Sequence, residues 1–584
     1  MKTILTFIIL LAAVPNLTAQ TGEDWITYFE RSGFIATPDY TESMSYFQRL
    51  DDFSQYAELK TFGYSPQGRG LKYLVVSKDK AFSPAEVKNI NKPVLLIVNG
   101  IHSGEIEGKD AVMLLLREML ISKEKEKLLD SLTLLVVPIF NVDGHERRSN
   151  YNRINQNGPE EMGWRTTAQN LNLNRDWLKA DAPEMRAMLK LYSDWLPDFM
   201  IDTHTTDGAD YQYSITYGVE KFSNIYFGTA NWLNEKFVPF FESKVEKKGF
   251  LIRPYIYLKE WQEGPDGGII DWAASPRFST GYAALQNRPS LLIETHMIKP
   301  YKERVYSTKA ALETVIDFIS LNASELKRLN KEADNNSIKE LLQEGQFLPV
   351  SYEATDKYES VDFKGYEYFR DTSIISGSKK LVYTKKKKNF RIKYFNNVIT
   401  TDSVFIPAAY LIPKEWEILV DILELHGVYV EELRDDSLFN VTRYRFKKVK
   451  FANLPYEGRQ RVNFDYDTYQ ENLTVPAGTF YVPANQRTIR VIGNLLEPKS
   501  DDSFVKWGFL NVTFERKEYF ENYVMENIAG QMLESDPVLK KEFEAKLADN
   551  EKFRNDPRAR LNFFYKRSPY FDNHYRVYPV MRIE

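Results

Sequence analysis

A histidine and a glutamate three residues apart, His102 and Glu105, follow shortly after an apolar run in this sequence of 584 residues. The run at residues 94–98 has five consecutive apolar side chains, which is typical of a buried parallel strand, and Asn99 and Gly100 interrupt it. A helical pattern begins a few residues later. Because open α/β sheets place their sites past the carboxyl ends of strands, we interpret the two residues as ligands of a catalytic zinc ion.

A third ligand is expected from the end of another strand, because a catalytic zinc ion takes three protein ligands and keeps one position open. His204 follows the strand-like run 199–203 in this way, and it is one of six histidines in the chain. Glu294 ends a further apolar run at residues 291–294. The sequence therefore predicts a zinc site made of two histidines and one glutamate.

Two further motifs lie in the same part of the chain. Trp164-Arg165 precedes the segment Asn172-Leu-Asn-Arg-Asp-Trp177, and residues 289–296 read Pro-Ser-Leu-Leu-Ile-Glu-Thr-His. With these pieces, residues 24–325 resemble the zinc carboxypeptidase family of metallopeptidases. The resemblance implies a peptide substrate with a free C-terminal carboxylate and one Zn2+ per chain, with the ligands His102, Glu105 and His204.

The resemblance also implies roles for residues outside the metal site. Asn174 and Arg175 match the family's pair that binds the C-terminal carboxylate of the substrate. Arg165 matches the arginine that polarises the scissile carbonyl. Glu294 matches the general base, which takes a proton from the attacking water and later delivers it to the leaving amine.

Two positions of the family pattern are matched less closely. The family's substrate-binding tyrosine precedes the catalytic glutamate, and Tyr282 is our candidate, with Tyr257 as the alternative. The family often has an aspartate two residues before the Asn-Arg pair, where it orients a zinc-binding histidine. Asn172 stands there in this chain, and its amide oxygen can still accept a bond from an imidazole N–H. Asp202, two residues before His204, is a second candidate for such a role.

Apolar runs alternate with helical patterns from about residue 24 to residue 322, which predicts an α/β domain with a mainly parallel sheet. The resemblance implies a mixed sheet with helices on both faces. Predicted strands lie at residues 71–76, 94–98, 134–140, 199–203, 214–217 and 291–294, and predicted helices lie near residues 109–121, 183–196, 223–248 and 307–321.

The composition changes in the second half of the chain. Beyond about residue 340, short runs rich in Tyr, Phe, Val and Thr alternate with Pro and Gly, which predicts an antiparallel β region in the form of a sandwich. Residues 519–561 return to helical patterns. The lysine run at residues 385–388 fits an exposed edge strand or a hairpin tip. The predicted organisation is a signal peptide at residues 1–19, a catalytic domain at 20–330, and a β-rich region at 340–584 that ends in helices.

The overall composition narrows the classes of protein. The net charge of -4 argues against a nucleic-acid partner, and the absence of cysteine excludes disulfides, thiolate metal sites and cysteine nucleophiles. Lys2, the apolar residues 4–14 and the small residues before Gln20 are typical of a signal peptide, so export to a periplasm or to the medium is expected. No segment is long and apolar enough to predict a membrane span.

Two other functions fit the sequence. A zinc enzyme of the same fold could cleave cell-wall peptides or N-acyl amino acids, because the Asn174-Arg175 pair suits any substrate with a free carboxylate. A protein of another class, a non-catalytic polymer-binding protein, would use the aromatic-rich C-terminal region to bind a glycan or a peptide. The sequence does not indicate the oligomeric state.

Overall fold

The computed structural model describes residues 25–584, and the predicted signal peptide lies outside the described residues. Within that range, the first half of the chain contains a central mixed sheet of eight strands. Its strands are β1 (Ala57–Tyr64), β2 (Gly70–Val76), β3 (Val94–Asn99), β4 (Thr133–Val137), β5 (Phe199–Thr206), β6 (Ile215–Gly218), β7 (Ile252–Pro254) and β9 (Ser290–His296), whereas β8 (Ile269–Ile270) belongs to a different sheet.

The strand order in the central sheet is β1-β2-β4-β3-β5-β9-β6-β7. The four central strands β4, β3, β5 and β9 are parallel to one another. Antiparallel pairs flank them, β1 and β2 on one side and β6 against β9 on the other. The predicted α/β class and mixed sheet are confirmed, and the six predicted strands are present. The edge strands β1 and β7 were not predicted, because their apolar patterns are short.

Strand β3 shows why the sheet is covered on both faces. All of its residues are buried. Leu95 and Ile97 pack into one apolar cluster, and Leu96 and Val98 pack into another. Because successive side chains of a strand point to opposite faces, an unbroken apolar run must be covered on both sides.

Helices provide this cover. The helices of the first half are α1 (Tyr28–Arg31), α2 (Tyr40–Phe53), α3 (Pro84–Ile90), α4 (Glu107–Leu120), α5 (Val142–Glu146), α6 (Pro183–Trp195), α7 (Phe227–Trp232), α8 (Val238–Lys247), α9 (Ser279–Leu285), α10 (Tyr301–Leu321) and α11 (Ala323–Ile338). Buried residues of α4 and α10 join the cluster that contains Leu95. Buried residues of α6 join the cluster that contains Leu96, so the helices lie on both faces as expected.

The second half of the chain is rich in β-structure, as predicted, and the predicted helices near its end are followed by one more short strand. Its strands are β10 (Leu348–Ala354), β11 (Glu359–Thr372), β12 (Lys379–Phe395), β13 (Val398–Val404), β14 (Ala409–Ile412), β15 (Glu431–Glu432), β16 (Ser437–Phe451), β17 (Val462–Val475), β18 (Phe480–Pro483) and β19 (Met581–Ile583). Its helices are α12 (Glu417–Leu425), α13 (Ile489–Leu496), α14 (Asn522–Ser535), α15 (Pro537–Asp549), α16 (Glu551–Arg554) and α17 (Pro557–Tyr565).

These strands form three sheets, whose buried residues lie in different apolar clusters, and not the two facing sheets of a sandwich. One sheet pairs β10 with β13. A second contains the long hairpin β11–β12, and the end of β12 also pairs with β8 from the first half of the chain. The third has six strands in the order β15-β18-β14-β19-β16-β17.

The six-stranded sheet shares an apolar core with the central sheet. Tyr410 of β14 and Leu419 of α12 belong to the same buried cluster as Leu96 of β3 and Met188 of α6. His426, just after α12, donates from Nε2 to the backbone oxygen of Leu178 at 3.0 Å. The two halves of the chain are therefore packed together through their interiors.

Two smaller expectations concern the surface. The side chains of residues 385–388 are exposed on β12, most of which is an edge strand, so this prediction is confirmed. Lysines at such an edge oppose pairing with another chain. Among the described residues, no helix combines the length and hydrophobicity that a membrane crossing requires.

Candidate metal centre and active-site cavity

Three neighbouring parallel strands bring the candidate residues together. Gly100, directly after β3, has a φ of +66°, and this turn leads to His102 and Glu105. A glycine adopts such a conformation without the strain that a side chain would cause. His204 in β5 and Glu294 in β9 are direct partners in the parallel register of those strands. All four side chains thus lie near the carboxyl ends of β3, β5 and β9, as expected.

The three predicted zinc ligands converge. One ligand atom from each of His102, Glu105 and His204 lies within 4.8 Å of the other two. Nδ1 of His102 is 3.2 Å from Oε1 of Glu105, and Nδ1 of His204 is 3.0 Å from Oε2 of Glu105. All three residues are buried. This is the donor set and the spacing that one metal ion requires.

The second nitrogen of each imidazole is bound to a protein oxygen. Nε2 of His102 donates to Oδ1 of Asn172 at 3.0 Å, and Nε2 of His204 donates to Oδ2 of Asp202 at 2.8 Å. Within residues 25–584, the buried Nδ1 of His102 has no hydrogen-bond partner. Since a histidine ligand offers one unprotonated nitrogen while the other is held, these residues fit a zinc ion.

Glu294 lies beside the cluster and lines the same cavity. In the described part of the chain, its buried Oε2 has no hydrogen-bond partner. Burial raises the pKa of Glu294 to about 8, and the Glu105 carboxylate adds to the rise, although His204 opposes it. A carboxyl group with a free oxygen and a pKa near neutrality can accept a proton and release it again.

Two arginines contact the glutamate of the cluster. Nη1 of Arg165 is 3.1 Å and Nη2 of Arg153 is 2.7 Å from Oε1 of Glu105. Although burial opposes the charge on Glu105, Arg153 and His102 hold the pKa of that carboxyl well below its usual range. Both arginines line the cavity. Arg153 was not predicted, because it follows no strand and lies in no motif that would mark it.

Arg175, from the predicted Asn174-Arg175 pair, also lines the cavity. Its guanidinium carbon lies 4.2 Å from the centre of the Phe278 ring, and its Nη1 donates to the backbone oxygen of Asn174 at 2.6 Å. Oδ1 of Asn174 accepts from the backbone N–H of Ser279 at 3.0 Å. Burial lowers the pKa of Arg175. Stacking and hydrogen bonding thus fix a planar cation at the cavity wall, where it could bind a carboxylate.

The structure corrects the expectation for Tyr282. This side chain is fully buried in the apolar core and is not among the residues that line the cavity. Its hydroxyl bonds to Nδ1 of His426 at 3.1 Å and accepts from Nε2 of Gln286 at 2.8 Å. The phenols that line the cavity from the first half of the chain are Tyr255 and the alternative candidate Tyr257. The position of Tyr282 before Glu294 in the sequence does not reveal which face of α9 the side chain occupies.

The cavity has a volume of about 620 Å³. Besides the residues already described, its wall includes Tyr352, Glu353 and Ala354 of β10. The second half of the chain therefore contributes directly to the cavity. The sequence contained no signal for this, because β10 carries no motif and its position depends on packing between distant segments.

Comparison with known proteins agrees with this geometry. A family model described as zinc carboxypeptidase matches residues 44–306. The chain is 22% identical over 467 residues to carboxypeptidase 2 of Trichophyton tonsurans, an alignment that covers 77% of this chain and 79% of the fungal protein. It is 33% identical over 121 residues to an inactive metallocarboxypeptidase of Saccharomyces cerevisiae, covering 19% of this chain and 27% of that protein.

Among solved structures, a metallo-carboxypeptidase from Burkholderia cenocepacia is similar with a TM-score of 0.36 and 18% identity. The superposition covers 49% of this chain and 70% of that protein.

Proposed function

Residues 44–306 belong to the zinc carboxypeptidase family, and from this premise we propose that the protein hydrolyses the peptide or amide bond next to a free C-terminal carboxylate. One zinc ion per chain would be held by His102, Glu105 and His204. When bound, zinc supplies a Lewis acid that polarises the scissile carbonyl and lowers the pKa of a water molecule. Asn172 and Asp202 orient the two imidazoles for this purpose.

Glu294 is the proposed general base. The side chain lines the cavity beside the ligand cluster, and its Oε2 has no hydrogen-bond partner within residues 25–584, so the carboxylate can accept a proton from the attacking water. The same carboxyl group then delivers the proton to the leaving amine. Arg165 donates to the oxygen of the scissile carbonyl as negative charge develops there, and one such donor contributes on the order of 3 kcal/mol.

Arg175 is the proposed anchor of the substrate's terminal carboxylate. The guanidinium is held against Phe278 and faces the same cavity as Glu294. A guanidinium binds a carboxylate through two parallel, charge-assisted hydrogen bonds. An anchor at this position selects chain ends, which makes the enzyme an exopeptidase.

One observation supports the proposal most strongly: the three predicted ligands His102, Glu105 and His204 line one cavity together with Glu294 and Arg175. A structural zinc site would not need an unpaired carboxylate and a carboxylate-binding arginine beside it.

The test measures the zinc content of the purified protein and its cleavage of a peptide library with free and amidated C-termini. We expect about one zinc per chain and cleavage of the free-carboxylate peptides alone. Arg175→Ala removes a charge-assisted contact of about 3 kcal/mol and should lower kcat/KM roughly 100-fold for free-carboxylate peptides. Arg328→Ala is the matched control, since Arg328 lies exposed on α11.

Glu294→Gln should lower kcat by a factor on the order of 10²–10⁴ while the zinc content stays unchanged. Full activity of this variant would overturn the mechanism. Zinc binding without cleavage of any peptide would overturn the proposed substrate, and turnover of cell-wall peptides or N-acyl amino acids would then identify the alternative. Equal cleavage of amidated peptides would refute the role of Arg175.

A further inference from the structure

The loop between β7 and α9 forms one wall of the cavity. It contributes Tyr255, Tyr257, Ile270, Asp271 and Trp272 to the lining. Loops that surround a binding site have few contacts of their own, so their conformation depends on what holds them. In this chain residues of the first half hold part of the loop, as in the ion pair of Lys221 with Asp271 at 2.7 Å, and the second half of the sequence adds further contacts.

The hairpin β11–β12 binds the loop through backbone pairing. Ile269 and Ile270, which form β8, pair in parallel with Tyr394 and Phe395 at the end of β12. The backbone N–H of Asp271 donates to the oxygen of Phe395 at 2.9 Å. Two strands joined in this way fix the register of the loop against the hairpin.

Side chains strengthen the same junction. The hydroxyl of Tyr394 donates to Oδ2 of Asp271 at 2.5 Å, next to the cavity wall. Ile269 is fully buried together with Phe363 of β11 and Ile392 of β12. The junction therefore combines backbone hydrogen bonds, a charge-assisted bond and an apolar core.

The part of the loop that precedes β8 is also bonded to this junction. Leu258 bridges to Ile269, and the backbone N–H of Ile270 donates to the oxygen of Tyr257 at 2.9 Å. Farther along the hairpin, Arg370 forms an ion pair with Glu263 at 2.7 Å. Tyr257 and Asp271 are thus both connected to β12 through the short strand β8.

We propose that the hairpin β11–β12 is a positioning element of the active site, with Tyr394 of β12 and Gly268 of the loop as the positioning residues at their junction. This inference rests on the proposed function, because it assigns the held wall to substrate binding. Holding a binding wall in place before the substrate arrives removes the ordering cost from the binding step. Loss of the junction should therefore weaken substrate binding while the predicted metal ligands and Glu294, which lie on strands of the central sheet or directly after β3, remain in place.

Gly268 offers a sharp perturbation. Its φ is +86°, and a Cβ there would lie 2.8 Å from the backbone oxygen of Lys393 in β12. Gly268→Ala should therefore push the loop away from the hairpin. Gly249→Ala is the matched control: Gly249 has a φ of +94°, and in the described part of the chain a Cβ there would meet nothing within 4 Å. Both variants strain the backbone, and only the first breaks the junction.

Three readouts are needed: hydrogen exchange of the amides at residues 269–271, the zinc content, and KM and kcat for a free-carboxylate peptide. We expect Gly268→Ala to speed exchange at these amides and to raise KM about 10-fold, with kcat within about threefold and zinc unchanged. Gly249→Ala should change none of these. Unchanged exchange, or the same KM as the control, would overturn the proposal.

A second pair of variants, which perturbs the junction less, tests the proposal if the Gly268→Ala protein fails to fold. Tyr394→Phe removes the bond to Asp271 and keeps the ring, whereas Tyr358→Phe alters a tyrosine that is 53% exposed. Tyr394→Phe should raise KM more than Tyr358→Phe, and equal values would contradict the inference. If the parent protein cleaves no substrate, the proposed function fails, and the exchange data still test whether the hairpin holds the loop.

Discussion

Tyr282 and Tyr257 provide a double test of where the substrate-binding tyrosine lies. The ring centre of Tyr282 lies 5.3 Å from that of Trp177 and 5.2 Å from that of Tyr192. Its hydroxyl is hydrogen-bonded to His426 and Gln286. Such a side chain should contribute to stability and not to catalysis.

The cost of Tyr282→Phe can be estimated from its hydrogen bonds. Nε2 of His426 already donates to Leu178, so Nδ1 accepts the proton of the Tyr282 hydroxyl. Removing the hydroxyl leaves this buried nitrogen unsatisfied, at a cost of about 1–3 kcal/mol. Gln286 loses less, because its Nε2 also donates to the backbone oxygen of His426 at 3.1 Å. We therefore expect a destabilisation of about 2 kcal/mol and an unchanged kcat/KM.

Tyr257→Phe should behave in the opposite way. Tyr257 is 47% exposed and lines the cavity, so loss of its hydroxyl should alter stability by less than about 0.5 kcal/mol. A hydroxyl that contacts the substrate should cost about 1 kcal/mol or more in kcat/KM, roughly a fivefold loss.

The assay compares urea unfolding midpoints and peptide hydrolysis for the two variants and the parent protein. A loss of more than 10-fold in kcat/KM for Tyr282→Phe with an unchanged midpoint would refute the reasoning. It would mean that α9 moves far enough during turnover to bring the Tyr282 hydroxyl into the cavity.

Two further predictions concern other buried polar groups. Asn172→Ala removes the acceptor that holds Nε2 of His102 and should weaken zinc binding about 10–100-fold in a competition with a chelator; equal affinity would show that the amide does not orient the imidazole. Burial raises the pKa of Glu184 from 4.5 to about 7. As the pH rises through this range, the carboxyl group ionises more readily in the unfolded chain than in the folded protein, so the free energy of unfolding decreases. Glu184→Gln should therefore gain on the order of 3 kcal/mol over the parent in unfolding free energy between pH 4.5 and pH 8, and a constant difference would contradict this.

The ligand cluster could be predicted because the pattern that indicates each ligand lies in the few residues before it in the sequence. A run of five apolar residues before His102 predicts a buried parallel strand, and the carboxyl ends of parallel strands meet at one edge of a sheet. The same argument placed His204 and Glu294, which the structure finds as register partners. Arg153 contacts Glu105 as closely as Arg165 does, but it lies in a turn without a strand or a motif before it. Nothing in its neighbourhood in the sequence marks it.

For the second half of the chain, the sequence predicts that strands are present but not how these strands pair into sheets. Alternating aromatic and β-branched residues predict strands, but they do not reveal which strands pair. The pairing of β8 with β12 joins residues more than 120 positions apart, and it arises from packing around Phe363 and Ile392. A boundary near residue 330 follows the change in composition along the chain.

The cavity is lined by residues from both sides of that boundary. Its wall includes Tyr352 and Glu353 of β10, beyond the predicted catalytic domain, and the loop that carries Tyr257 and Asp271 is bonded to β12. The predicted zinc ligands and Glu294 lie at or just after the ends of β3, β5 and β9, whereas the shape of the cavity also depends on the C-terminal sheets. It follows that changes in the C-terminal sheets should alter the selection of substrates more than the binding of zinc, because these sheets contact the cavity wall and the predicted ligands lie on another sheet or directly after its strands.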